Sequence, residues 1–321
     1  MVNEKVTFVI PAYIKSKEYL YFFEQTLKGL KEQTIDSWQA IVIEDCSPER
    51  DVVNVINMYQ KEDNRIHAIY LDERKTTGEC RNIGIQWAVK LGSPIILFND
   101  ADDISHRKRV EWVTNIFREN ESVSVVYSNI EVIDENRKPV LQEKLSPAIK
   151  RIISELNNQP PIGTNCWYKI GVLSGYVNVT SSTAVRTKLA AQELFPNEYI
   201  SEDMHTWLRY GACGEFYFDK NCHCQYRVPS FVQRQSSNDY VRDFNANKVR
   251  VDCDGFSKAL ELAAQKQNFT ENSKRIIMLR FYMKLMQEME KEGRQDLVFH
   301  LIERCNLTID NFENEECIEL G

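Results

Sequence analysis

Four short apolar runs, separated by three amphipathic stretches, fill the chain as far as an acidic turn that ends at Asp103. Val6-Thr7-Phe8-Val9-Ile10 is β-branched and aromatic and stops at Pro11, the pattern of a buried strand. Tyr19 to Gln33 places Leu20, Phe23, Leu27 and Leu30 at the spacing of one helix face. Ala40-Ile41-Val42-Ile43 predicts a second strand, Val52 to Gln60 a helix and Ile66 to Leu71 a third strand. Gly78 to Leu91 predicts a helix with Ile83, Trp87 and Leu91 on one side, and Pro94 to Phe98 a fourth strand. Runs that are apolar at nearly every position need cover on both faces. Strands that alternate with helices return by crossover and pair in parallel. The expected fold class is therefore α/β, a mostly parallel central sheet flanked by helices.

Beyond Arg109 the alternation weakens. Val123 to Tyr127 and Ile130 to Ile133 read as two strands joined by Ser128-Asn129, and Leu145 to Val172 as irregular chain around Pro160, Pro161 and Gly163. Asn178 to Val185 is strand-like, Glu202 to Tyr210 helical, and Gly214 to Tyr226 a set of short strands. From Asp243 the chain reads as a helical C-terminal extension, most clearly over Ser273 to Lys291 with Ile276, Ile277, Phe281, Leu285 and Met289.

Composition removes several function classes. The net charge of -7 speaks against a general nucleic-acid binder. No apolar run reaches the ~18 residues of a membrane span. Met1 to Lys5 leads straight into the first strand without a basic or long apolar leader, so no secretory signal is expected. Nine scattered cysteines, an odd number, fit a reducing compartment better than a disulfide framework, and the expected location is the cytoplasm.

In parallel sheets ligands bind beyond the carboxyl ends of the strands. Three predicted strand ends carry Pro11-Ala12-Tyr13, Glu44-Asp45 and Asp100-Ala101-Asp102-Asp103. Three carboxylates within four residues repel unless a cation sits among them, and oxygen ligands suit Mg²⁺ or Mn²⁺ bridging to phosphates. An acidic turn that caps the next helix would look the same. Gly78-Glu79-Cys80-Arg81-Asn82-Ile83-Gly84 opens a helix, and Arg81 would face phosphates or lock the acidic loop through a charged pair. Ser201-Glu202-Asp203 opens another, where one acid caps the helix and the other would serve as a base. Cys222-His223-Cys224 with Cys213 lacks the second pair that a structural zinc site needs.

In this order and spacing these segments resemble family 2 of the glycosyltransferases, an inverting family with the GT-A fold, over about the first two-thirds of the chain. The matching stretches are Phe8 to Tyr13, Val42 to Ser47, Gly78 to Ile85, Ile96 to Asp103 and Ser201 to Asp203. The resemblance implies a GT-A domain over 1–240, with a nucleotide-sugar half (1–110) and an acceptor half (111–240), followed by a helical region over 241–321. It implies that Pro11, Ala12 and Tyr13 line the nucleobase pocket, that Asp45 bonds the uracil N–H, and that Arg81 shapes the donor site. Asp100 would contact ribose or sugar, and Asp102, with Asp103 as the second candidate, would hold Mn²⁺ or Mg²⁺ on the diphosphate. Asp203 matches the base that deprotonates the acceptor hydroxyl. Glu202 and the stretch Gly175 to Ser182, with Trp167 nearby, would belong to the acceptor side, and Tyr226-Arg227 followed by Ser236-Ser237 to a flexible segment closing over the donor. The sequence departs from the family pattern at Ile14, Glu44, Cys46 and Cys80, and after Arg227, where the frequent Arg-x-His that would offer a histidine metal ligand is missing; none of these removes a carboxylate the mechanism needs.

The expected reaction moves a sugar from a nucleotide-sugar, UDP-linked for preference, to a saccharide, lipid-linked or protein acceptor. A nucleotidyltransferase would instead carry a Gly-rich basic loop after its first strand, where this chain has Pro11-Ala12-Tyr13-Ile14-Lys15. A non-catalytic scaffold would not need Asp102, Asp103 and Asp203 together. In the tail, Lys274, Arg275, Arg280 and Lys284 beside Met and Phe residues would suit a peripheral membrane contact, and the helices would suit a homo-oligomer. Glu288, Glu290 and Glu292 argue for a solvated helix packed on the core instead.

Overall fold

The computed structural model describes residues 5–230 and 243–319. The first half alternates as the apolar runs require: β1 (Val6–Ala12), α1 (Lys17–Lys31), β2 (Trp38–Glu44), α2 (Asp51–Glu62), β3 (Ile66–Tyr70), α3 (Thr77–Lys90) and β4 (Ile95–Phe98). Then come β5 (Ile104–Ser105), α4 (Arg109–Glu119), β6 (Val123–Ile133), α5 (Pro147–Asn158) and α6 (Cys166–Tyr168). The remainder is β7 (Ala184–Arg186), α7 (Thr187–Gln192), α8 (Glu202–Cys213), β8 (Glu215–Arg227), α9 (Phe244–Ala264), α10 (Glu271–Lys291) and α11 (Gln295–Glu319).

One eight-stranded sheet runs β3-β2-β1-β4-β7-β6-β8-β5. β1 pairs in parallel with β2 and β4, and β2 with β3, so the first half is parallel as expected. Beyond β4 the sheet is mixed: β7 is antiparallel to β4 and β6, β8 is parallel to β6, and β5 is antiparallel to β8. Pro11 lies inside β1 but past Val9, the last residue paired with β4. Val9 turns its carbonyl toward Asn99, so the ring nitrogen two residues on faces the same side, where no partner needs an N–H.

Several expected elements differ. Val123 to Ile133 is one strand, and Ser128-Asn129 is a register shift against β8 rather than a turn. Glu215–Arg227 is likewise one long strand. Leu145 to Val172 is irregular only in part: residues 159–165 around Pro160, Pro161 and Gly163 form no helix or strand, but Ser146 caps α5 by accepting the Ile149 N–H at 3.3 Å, with Pro147 in the first turn. Of Asn178 to Val185 only the end joins the sheet, and Thr180–Ser182 forms a 3₁₀ turn.

The alternation of side chains divides the core in two. Phe8, Ile10, Ala40, Val42 and Leu97 pack under α1, α2 and α4. Val9, Ile41, Ile43, Ile96 and Phe98 face α3, α8 and the C-terminal helices, in one apolar cluster that reaches Trp167, Trp207, Phe256, Phe281 and Leu301. α3 comes so close that a Cβ on Gly84 would lie 2.4 Å from Val9 Cγ1. Among the described residues no helix is long and apolar enough to cross a membrane.

Candidate active site

Parallel pairing brings the carboxyl ends of β1, β2 and β4 to one sheet edge, and a cavity of ≈ 510 Å³ opens there. Every expected site residue lines it except Trp167 and Gly175.

At the end of β2 the two acids separate in role. Glu44 turns back and accepts the Ser47 N–H at 2.7 Å, which holds the sharp bend where Cys46 takes a φ of 53°. Asp45 faces the cavity. It accepts the Lys75 N–H at 2.8 Å and pairs with Arg74 Nε at 3.1 Å. Burial pushes its carboxyl pKa above the usual range, against the pull of the Lys75 N–H and the Arg74 charge. The Arg74 guanidinium also lies 3.3 Å from the centre of the Tyr13 ring, a cation–π stack at the cavity wall.

The acidic turn after β4 is held by its backbone. Asn99 Nδ2 donates to the Asp100 carbonyl at 2.8 Å, Thr26 Oγ1 lies 2.9 Å from the Ala101 carbonyl, and Arg227 Nε donates to the Asp102 carbonyl at 2.8 Å. The side chains are thereby free to crowd toward the cavity. Asp102 is half-buried, and burial followed by the Asp100 charge raises its pKa to about 6. Asp103 is buried: Oδ1 accepts the Arg227 N–H at 2.7 Å, while Oδ2 has no hydrogen-bond partner among the described residues. Burial, then Asp102 and Asp100, holds this carboxyl well above its usual range. No group of three or more metal-ligating side chains forms a finished cage among the described residues. A divalent ion needs only one or two carboxylates when the substrate's phosphates complete its shell. The orphaned Asp103 oxygen and the crowded charge fit such an ion, with Asp102 and Asp103 holding it.

Arg81 links the two halves of the site. It is buried, and donates to Asp100 Oδ1 at 2.9 Å and to Glu202 Oε1 at 2.7 Å. Burial would lower its pKa, but the Asp100 and Glu202 charges more than offset that and keep it cationic. The Glu202 pKa rises to about 7 through burial and then the neighbouring Asp203, with Arg81 opposing. Asp203 accepts the Met204 N–H at 2.7 Å on Oδ1 and the Tyr176 hydroxyl at 2.6 Å on Oδ2. Burial and the Asp203 charge push the Tyr176 phenol well above its usual range, so it stays a neutral donor.

Three expectations are corrected. Trp167 is 1% exposed and packs in the core against Phe256 at 5.3 Å between ring centres, away from the cavity. Gly175 itself lies beside Lys284 and Glu288 of α10, whereas Tyr176, Val179 and Thr180 of the same stretch do line the cavity. Tyr226-Arg227 is no mobile segment: both residues end β8, and Arg227 is bonded to Asp102, Asp103, Asp134 and Gln25 and stacks over Phe22. Ser236-Ser237 lies outside the described residues. Arg74 was not singled out from sequence, and Tyr176 entered only as part of the Gly175 to Ser182 stretch, with no role of its own. Arg74 follows the end of β3, a strand end of the same kind as the three that were read. Tyr176 carries no such local mark.

The family model for glycosyl transferase family 2 matches residues 7–177. Over 113 residues the chain is 28% identical to the putative teichuronic acid biosynthesis glycosyltransferase TuaG of Bacillus subtilis, covering 35% of this chain and 42% of that protein. The match thus spans less than half of that relative's length. The structure of S. aureus TarS 1–349 in complex with UDP is similar at a TM-score of 0.56 and 16% identity, over 86% of this chain and 70% of that one. The mannosyltransferase PcManGT of Pyrobaculum calidifontis, in complex with GDP-Man and Mn²⁺, is similar at 0.51 and 12%, over 95% and 80%. These structures share the GT-A arrangement, a curled mixed sheet flanked by helices.

Proposed function

Because the chain belongs to glycosyl transferase family 2, we propose that it transfers a sugar from a UDP-sugar to an acceptor hydroxyl with inversion at the anomeric carbon. The acceptor would be a saccharide, lipid-linked or protein hydroxyl met in the cytoplasm during glycan synthesis. The observation that carries this reading is one cavity lined by Tyr13 and Asp45, by the Asp100 to Asp103 turn and by Asp203. The nucleotide-sugars bound to TarS and PcManGT support the donor class.

Ala12 and Tyr13 line the nucleobase pocket, and the Asp45 carboxylate accepts the uracil N–H. Arg81 keeps Asp100 turned toward the donor through its 2.9 Å bond. When bound at Asp102 and Asp103, a divalent cation, Mn²⁺ or Mg²⁺, supplies Lewis-acid stabilisation of the charge growing on the diphosphate. Asp203 takes the proton of the acceptor hydroxyl. As it does so the acceptor oxygen bonds to the anomeric carbon, the bond from that carbon to the diphosphate oxygen breaks, and its electron pair leaves with UDP. Tyr176 donates to Asp203 Oδ2 and so fixes the direction in which the carboxylate faces. A single displacement turns an α-linked donor into a β-linked product.

The test is calorimetric titration with UDP in Mn²⁺ and then in EDTA, with GDP and TDP as controls. Binding is expected to need the metal and to favour UDP, and Asp102→Ala to weaken the metal-dependent part. Asp203→Asn is expected to bind UDP as the parent does and to lose ~10³-fold in turnover. Near-normal turnover in Asp203→Asn would remove Asp203 as the base, and no nucleotide binding by folded protein would remove the donor site.

A further inference from the structure

We propose that α9 belongs to the positioning machinery of the transfer reaction, with Asp252 and Asp254 setting the rotation of α8 and so the aim of Asp203; this rests on Asp203 being the base. Ser201, the residue before α8, has a φ of 59°, a left-handed backbone uncommon for a non-glycine residue. Its side chain makes no capping bond to its own helix. Ser201 Oγ donates instead to Asp252 Oδ1 at 2.5 Å. Asp252 is 1% exposed, and its other oxygen takes the Lys248 ammonium, which lies 3.7 Å from Glu288 of α10.

Four residues along α8, His205 Nε2 meets Asp254 Oδ2 at 2.8 Å. The two helices touch there, since a Cβ on Gly255 would lie 2.8 Å from the His205 Cα. Positions four apart share a helix face, whereas a position two along points almost the opposite way. Anchoring positions 201 and 205 to α9 therefore turns Asp203 toward the cavity. An apolar crossing would hold the helices together as firmly. A buried charged pair is a poor source of net stability but a strict source of geometry. Here it ends on a strained residue two positions before the carboxylate that needs aiming. Both helices lie beyond residue 177, where the family match ends.

The test compares Asp252→Ala with Asp252→Asn, which keeps an oxygen to accept the Ser201 hydroxyl, and with Ser201→Ala, which breaks the same bond from the other side. Turnover is read as UDP release from UDP-glucose, UDP-galactose and UDP-N-acetylglucosamine with Mn²⁺. Calorimetry with UDP reports whether the donor site is intact. Amide exchange over residues 201–206 reports the helix end without needing activity. Asp252→Ala and Ser201→Ala are expected to lose about 10²-fold in kcat with donor KM and UDP affinity unchanged, since a misplacement of about 1 Å costs that much. Their amides over 201–206 should exchange about tenfold faster, and Asp252→Asn should recover most of both. Parent-like kcat in the two variants, or exchange unchanged by either, overturns the proposal. So does an Asp252→Asn variant as impaired as the alanine. Should Asp203→Asn itself turn over normally, the base reading falls, while the exchange result still decides the contact. If the parent releases no UDP from any of the three donors, exchange alone decides.

Discussion

Glu202 and Asp203 are neighbours in sequence with different partners: Glu202 lies against Arg81 and Asp203 against Tyr176. Burial of Glu202 beside the Asp203 charge, which outweighs Arg81, predicts a pH dependence. The Glu202 carboxyl is raised from 4.5 to about 7, so the folded protein favours its protonated form. Its contribution to stability is complete below about 4.5 and is lost as pH rises through about 7. In EDTA, the melting temperature should fall across that window more steeply for the parent than for Glu202→Gln. Asp102, raised to about 6, adds a slope of the same sign to both proteins and so cancels in the comparison. Equal slopes would mean that the ionisation of Glu202 is not linked to folding. At this scale, Asp45 and Asp100 to Asp103 were legible as acids directly after apolar runs, and Glu202-Asp203 as an acidic pair opening a helix. Tyr176 was not, because its value comes from a contact across 27 positions.

At the scale of elements, α3 carries Arg81 to the cavity, and its approach to β1 depends on Gly84. Alanine is favoured over glycine inside a helix by about 1 kcal/mol. Here the new Cβ would stand 2.4 Å from Val9 Cγ1, and overpacking of a filled core costs about 1–3 kcal/mol. The clash should win. Gly84→Ala is expected to lower stability in urea denaturation, and Val9→Ala in the same chain to restore part of it. A more stable Gly84→Ala would mean that α3 shifts freely. The missed elements have physical reasons. The α5 start was visible as Ser146-Pro147, a cap followed by a first-turn proline, but Pro160 and Pro161 drew the whole stretch toward loop. β6 read as two strands because Ser128 and Asn129 are polar, yet Ser128 is buried and its Oγ accepts the His223 N–H at 3.1 Å.

For the molecule as a whole, the C-terminal helices share a core with the sheet. The Phe256 and Phe281 rings stack at 4.1 Å and 5°, and both belong to the cluster that contains Phe98 and Trp207. Phe281→Ala should therefore cost about 3–5 kcal/mol and lower one common unfolding transition. Differential scanning calorimetry that showed two transitions, with only one of them moved by the substitution, would make the helices a separate unit. The same packing explains why α9 is in a position to orient α8.

The sequence alone determined the parallel half of the sheet, because four mostly apolar runs alternating with helices have few ways to be covered. It also determined which strand ends bear carboxylates, since in a parallel sheet those ends must lie on one edge. Only the tertiary structure decided which of those carboxylates meet. Arg81 reaches Glu202 across 121 positions, Arg227 reaches Asp103 across 124, and Asp252 reaches Ser201 across 51. Such pairings leave no periodicity or local motif in the chain, because their energy is gained only after distant elements have packed.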